Sequence, residues 1–297
     1  MWRSVGAMRA RTCVGLDGVF RGSQAIDAGL VTRSQLRCSG VQRLFHDVYV
    51  AAGAEVTHQL RCQGAALVLP ENGVITGRSA ATVLGVPLAW PDDPVQVVAP
   101  PTTRIARRRG FDVRRTAIEP CDWRPWLAGR LASLPRMALD LLLDRPLPDA
   151  VADLDVVVRA GLVDLAAVQM MVAARHDKGI VAARRAAQLA DPRAESRPES
   201  KVRVWLALAG LEPEPQYWIE DSTGRIARTD LAFPARKVAV EYDGGWRDGQ
   251  LWALNHDRAR LNRVQAAGWE VVFVTAPLLR DPDRMVCTVR AALARRR

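Results

Sequence analysis

Apolar and polar positions change rhythm several times along the chain, and each change predicts an element. The stretch VQRLFHDVYVAAG, residues 41–53, alternates tightly enough for a pair of strands. Ahead of it, DGVFRGSQAIDAGLVTRSQLRCSG predicts two short helices. One runs from Arg21 to Ala28 and stops at Gly29; the other runs from Thr32 to Cys38 and stops at Gly40, with Thr32 or Ser34 as N-cap. Two helices followed by a β wing form a winged-helix pattern, a shape that enters a DNA major groove or serves protein contact. Helices follow around 58–70 and within 73–88, then a strand in DPVQVVAPP that its prolines end. TTRIARRRGFDVRRT reads as a basic hairpin with Gly110 near its tip. Between 131 and 190 apolar residues recur every three or four positions, the mark of short packed helices, and Met170 and Met171 read as core. The polar DPRAESRPES, with two prolines, closes this region near 191–197.

A new unit opens at Ser196. Ser196 and Glu199 stand in capping-box spacing at the head of SRPESKVRVWLALAGL, a helix that Gly210 stops. PEPQYWIED, GRIARTDLAF and KVAVEYDG are strands, and GQLWALNHDRARLNRVQAAG is a long helix ended by Gly268. WEVVFVT is a further buried strand and PDRMVCTVRAALARRR a last helix. The order α-β-β-β-α-β-α predicts a mixed sheet flanked by helices. The expected fold class is therefore α/β (α+β overall). A winged-helix-like domain spans 1–60, a mixed strand and helical region 61–195, and the mixed-sheet domain 196–297.

The bulk numbers narrow the class. At 297 residues and 49% apolar content the chain has material for about two cores of ordinary size. No apolar run approaches the ~20 residues that span a bilayer, and the arginine-bearing N-terminus has no apolar stretch of a secretory leader, so a cytoplasmic protein is expected. The five cysteines are odd in number and scattered without a CxxC pair, which argues against a zinc ribbon or a disulfide framework. A net charge of +10 favours polyanionic partners, foremost nucleic acid, although an arginine-rich, lysine-poor composition drifts basic without any partner.

Candidate chemistry concentrates in RTDLAFPARKVAVEYDG, residues 228–244. A hairpin turning at Ala235–Arg236 sets Asp230 directly opposite Glu241, and facing residues of an antiparallel pair have Cβ atoms ~4.5–5.5 Å apart. Asp243, two residues on, returns to the same face. Carboxylates this close repel unless one is protonated or a cation lies between them. Hard oxygen ligands of this kind suit Mg²⁺ or Mn²⁺.

TDLAFP…VAVEYDG, followed by HDRARLNRVQAAGWEVVFVT, resembles the very-short-patch-repair-like branch of the PD-(D/E)XK nucleases. The resemblance covers roughly residues 196–297. It implies a restriction-endonuclease-like domain with an acid on each arm of a central hairpin, and Mg²⁺- or Mn²⁺-dependent hydrolysis of DNA. By position, Asp230 matches the first motif acid and Glu241 the second, the two metal ligands. Asp243 stands where many PD-(D/E)XK enzymes have lysine, and Glu199 matches the helix acid that often completes the site. Asp257 and Arg260 match a D-x-x-R pair on the next helix, although at i,i+3 they also form an ordinary surface ion pair. GVFRGSQAIDAGL…LFHDVYV and TGRSAATVLGVP are similar to the N-terminal part of abortive-infection type IV antitoxins, which implies a winged-helix DNA-binding module and raises the question of a cognate toxin. Asp47 replaces the glycine usual before VY there.

Arg247 replaces the histidine common three residues after the motif glycine, and an arginine cannot take up a proton as a general base does. It can still hold phosphate, as can Arg107, Arg108 and Arg109 of the basic hairpin and Lys237 of the strand. Two functions are therefore expected: a metal-dependent DNA endonuclease, or an antitoxin-like DNA-binding regulator whose nuclease-like domain no longer cleaves.

Overall fold

The computed structural model describes residues 18–37, 40–103, 110–244 and 251–296, with backbone alone for 251–257. Packing divides the chain into two compact units, Met1–Asp140 and Leu141–Arg297.

The first unit opens with strand β1 (Phe20–Arg21), helix α1 (Gly22–Asp27) and the hairpin β2 (Val41–Phe45) and β3 (Val48–Ala51), in sheet order β1-β3-β2. The strand pair and first helix are those expected. The second helix is reduced to a single 3-10 turn, Gln35–Arg37. Its start carries the expected N-cap in a reciprocal capping arrangement: Gln35 Oε1 accepts from the Thr32 N–H (2.7 Å), and the Thr32 hydroxyl oxygen accepts from the Gln35 N–H (3.3 Å). Asp47, between β2 and β3, has φ 63°, the left-handed conformation that glycine adopts at least cost. Its carboxylate compensates by capping α1 from outside the helix, accepting from the Ser23 N–H (2.8 Å) and the Ser23 hydroxyl (2.6 Å).

Helix α2 (His58–Ala66), strand β4 (Val74–Ile75), helix α3 (Gly77–Val83) and strands β5 (Val95–Ala99), β6 (Phe111–Arg115), β7 (Trp123–Trp126) and β8 (Gly129–Ala132) follow. The strands form a sheet of order β6-β5-β4-β8-β7. Of the expected basic hairpin, 104–109 lies outside the described residues. The arm that is described, β6, pairs in parallel with β5. Arg114 and Arg115 are turned to structural bonds, with Asp140 and with the Thr103 carbonyl. The β7–β8 hairpin falls between the expected basic hairpin and the helical region expected from 131, a stretch to which the sequence pattern assigned no element. At the start of α4 (Leu134–Leu142), Arg136 is buried and joins Asp140 (2.9 Å) to Asp122 (2.9 Å).

The second unit begins with α5 (Leu147–Arg159), α6 (Leu165–Ala174) and α7 (Ile180–Leu189), all within the predicted helical region. Met170, expected in the core, is 68% exposed on α6. Helix α8 (Arg197–Leu208) then leads into β9 (Glu214–Asp221), β10 (Gly224–Phe233), β11 (Val238–Asp243), α9 (Leu251–Ala266), β12 (Glu270–Thr275), the short α10 (Ala276–Leu279) and α11 (Pro282–Arg295). The sheet order is β12-β11-β10-β9, with β11 and β12 parallel and the other pairs antiparallel, the mixed sheet that the element order predicts. One face buries Leu231, Val238 and Val240 against Val202 and Leu206 of α8 and Met285 and Val289 of α11. The other packs Ala232 and Ala239 with Val264 of α9 and Trp269.

Helix α8 carries two interfaces. Val202 and Leu206 face the sheet, while Arg203 donates to the buried Asp155 of α5 (2.8 Å) and to the Leu189 carbonyl (2.6 Å). Arg197 reaches Asp153 (2.6 Å) and Lys201 reaches Asp149 (2.6 Å), both on α5. These ion pairs group the 141–195 helices with the sheet, whereas the sequence reading drew its boundary at 195/196.

Candidate functional site

The hairpin that carries the acids has the register expected. A 3-10 turn at Pro234–Arg236 ends in Lys237 with φ 48°, and Phe233 pairs with Val238, Ala232 with Ala239, and Leu231 with Val240. One step further the same register sets Asp230 against Glu241. There the strands part: β10 continues beside β9 as far as Gly224, and β11 beside β12 as far as Asp243. At the fork the Tyr242 N–H donates to Asp230 Oδ2 (2.8 Å), so a carboxylate takes a strand amide beyond the Leu231–Val240 pair.

Four carboxylates converge electrostatically on this fork. Burial pushes the Asp230 carboxyl up to about 6, and the charges of Glu199, Glu241 and Glu195 push the same way, against the Tyr242 N–H. Both oxygens of Glu241 accept from one guanidinium, Arg260 Nη1 to Oε1 (3.2 Å) and Nη2 to Oε2 (3.3 Å). Arg260 projects from α9 onto this strand acid; the side chain of Asp257 on the same helix lies outside the described residues. Glu199 performs the capping role: Oε1 accepts from the Ser196 hydroxyl (2.7 Å) and Oε2 from the Glu195 N–H (2.9 Å). Its Oε2 also accepts from Gln216 Nε2 (3.0 Å), and Gln216 of β9 is held at φ 54°. Asp243 ends β11 in a half-buried position.

Two site residues escaped the sequence reading, and a third was read with another partner. Gln216 and Glu195 sit in no motif, and their roles depend on how β9 and the residues before α8 come together. Arg260 was visible within the D-x-x-R pair, but helical spacing pointed to Asp257 and gave no sign of Glu241.

Of the expected phosphate-binding residues, the one described, Lys237, lies away from this point. Lys237 donates Nζ to the Ala267 carbonyl (3.1 Å), tying the end of α9 at the turn end of the hairpin. That is four strand residues, or about 13 Å, from Glu241. Arg247, Arg107, Arg108 and Arg109 lie outside the described residues. Among the described residues no three His, Cys, Asp or Glu side chains are arranged around one metal position. The acids that could hold a divalent ion are Asp230 and Glu241, since Mg²⁺ is an ion held by one or two carboxylates with water and phosphate oxygens completing the shell. Among the described residues no helix is long and apolar enough to cross a membrane.

No family model matches the chain. Two curated relatives from Mycobacterium tuberculosis, "Uncharacterized protein MT2308" (strain CDC 1551 / Oshkosh) and "Uncharacterized protein Rv2248" (strain ATCC 25618 / H37Rv), are each 35% identical over 176 residues. The match covers 58% of this chain and 65% of each relative, so the chain spans just under two thirds of their length. Among solved structures, the crystal structure of RV2827C protein from Mycobacterium tuberculosis overlays with a TM-score of 0.39 and 14% identity, covering 69% of this chain and 84% of that one.

Proposed function

We propose that the protein is a metal-dependent DNA endonuclease, with Asp230 and Glu241 as the cation's ligands and the N-terminal winged-helix-like segment as a DNA-binding module. The observation that carries this reading is the meeting of the two acids where β10 and β11 part, inside a field of neighbouring carboxylates. Such a cluster is repulsive, and a divalent cation relieves it. What bound Mg²⁺ or Mn²⁺ supplies is charge stabilisation of the phosphoryl oxygens and a more acidic water. The chain's own residues do the rest. Asp230 is fixed by the Tyr242 N–H, and Glu199 is fixed by Ser196 and Gln216 close enough for its charge to act on Asp230. Asp243 and Glu199 orient the attacking water, while Arg247, Arg107, Arg108 and Arg109 hold the strand through phosphates.

The experiment is nicking of supercoiled DNA by the full chain with Mg²⁺ or Mn²⁺, compared with chelator and with Asp230→Ala. Nicking that disappears in both controls supports the enzyme. Activity that survives Asp230→Ala rejects this site.

A second reading has its own support. The Arg260 fork already neutralises Glu241 from within the protein, and Arg247 removes the motif histidine. A chain that binds duplex DNA and never cuts it is then an antitoxin-like regulator, and a cognate toxin becomes the partner to seek.

A further inference from the structure

We propose that Arg260 is a built-in counter-cation that holds Glu241 in the metal-free chain and must leave that carboxylate when a divalent cation binds. The inference rests on the reading of Asp230 and Glu241 as the cation's seat, and adds that the seat carries its own competitor.

The geometry is a fork. Each terminal nitrogen of Arg260 takes one oxygen of Glu241, at 3.2 and 3.3 Å, and both side chains are largely covered, at 25% and 15% exposure. A guanidinium cannot lose its charge near neutral pH. A dication on the same carboxylate would therefore stand beside a permanent cation in a partly desolvated site, where their repulsion is poorly screened. Asp230 is held differently, by a backbone amide that adds no full charge and leaves attraction for a cation intact. The pair is thus asymmetric: Asp230 presents an acceptor fixed by a neutral donor, and Glu241 one that must be exchanged.

Release of Arg260 does not cost α9 its place. Val264 stays buried against the sheet, and Arg263 holds Asp221 (2.9 Å) and the Thr223 hydroxyl (3.0 Å) at the β9–β10 turn. A released guanidinium lies beside the fork, with the planar donor geometry that suits a phosphate. Cation binding and engagement of the DNA backbone then favour one another, since the first frees the group that the second uses.

The test is Mn²⁺ titration of the metal-free full chain at pH 7.5, read by calorimetry, for wild type, Arg260→Gln, Arg260→Lys and Asp230→Asn. Arg260→Gln is expected to bind Mn²⁺ about tenfold more tightly than wild type, equivalent to about 1.4 kcal/mol. Arg260→Lys, which keeps the charge and loses the fork, falls between them, and Asp230→Asn loses the binding. Equal or weaker binding by Arg260→Gln, with wild type binding normally, overturns the competition and leaves the metal site standing. Absence of Mn²⁺ binding in both wild type and Arg260→Gln, each with a cooperative melt, removes the seat and this inference with it. Should Arg260→Gln fail to melt cooperatively, Arg260→Lys decides, since its affinity must exceed that of wild type.

Discussion

Two acids, Asp47 and Asp230, do opposite work at the residue scale. Asp47 spends a left-handed backbone conformation to place a carboxylate at the start of α1, and its bonds from Ser23 and Arg21 hold that carboxyl below its ordinary range although burial opposes them. Asp47→Ala loses the cap and keeps the unfavourable φ, so chemical denaturation is expected to show a loss of about 1–2 kcal/mol. Asp47→Gly suffers less, because glycine accepts φ 63° without strain; a larger loss for glycine than for alanine would contradict this account. Asp230 is raised from 3.8 to about 6, so its ionised form is less welcome in the folded chain than in the unfolded one. Its contribution to stability is therefore most favourable below pH 4 and declines as pH rises through about 6. In chelator, Asp230→Asn should melt at the same temperature as wild type near pH 4 and above it at pH 7.5. A wild type that is the more stable of the two at pH 7.5 would mean that the carboxylate is satisfied without a cation.

Among the elements, α8 is the hinge of the second unit's architecture, since its two faces serve the sheet and α5. Arg203 and Asp155 are both buried, and burial pushes Asp155 up to about 6 even beside that guanidinium. Arg203→Ala strands a buried carboxylate and is expected to cost about 3–5 kcal/mol. Asp155→Leu combined with Arg203→Met should recover most of that loss in a denaturant titration, and failure to recover it would show that the other bonds the swap removes, from Arg203 to the Leu189 carbonyl and from the Asp191 N–H to Asp155, matter more than the pair. The elements of this unit were legible in the sequence because their signals are local. Gly210 and Gly268 stop helices, Ser196 caps one, and alternation in KVAVEYD with a turn at Pro234–Arg236 is enough to set the register of β10 against β11. The pairings that stayed hidden are long-range. Phe111–Arg115 lies along β5 as a parallel neighbour, a choice made by distant chain. Arg260 meets Glu241 across 19 residues because α9 packs over β11, and helical spacing alone could offer it only Asp257.

For the whole molecule, a net charge of +10 sets the terms of any encounter with DNA. If Arg107, Arg108 and Arg109 contact phosphates, replacing all three with alanine should lower the slope of log affinity against log salt by about 2–3, since each phosphate contact contributes about 0.9. An unchanged slope would assign them to a solvated face. The proposed metal seat lies at the fork between β10 and β11, where one measurement is decisive. Crystals of the full chain soaked in Mn²⁺ at pH 7.5 should give an anomalous-scattering peak bridging Asp230 and Glu241, about 2.0–2.3 Å from a carboxylate oxygen of each, with Arg260 moved off Glu241. A fully soaked crystal with no peak there, and with the Arg260–Glu241 fork intact, would contradict the proposed metal site.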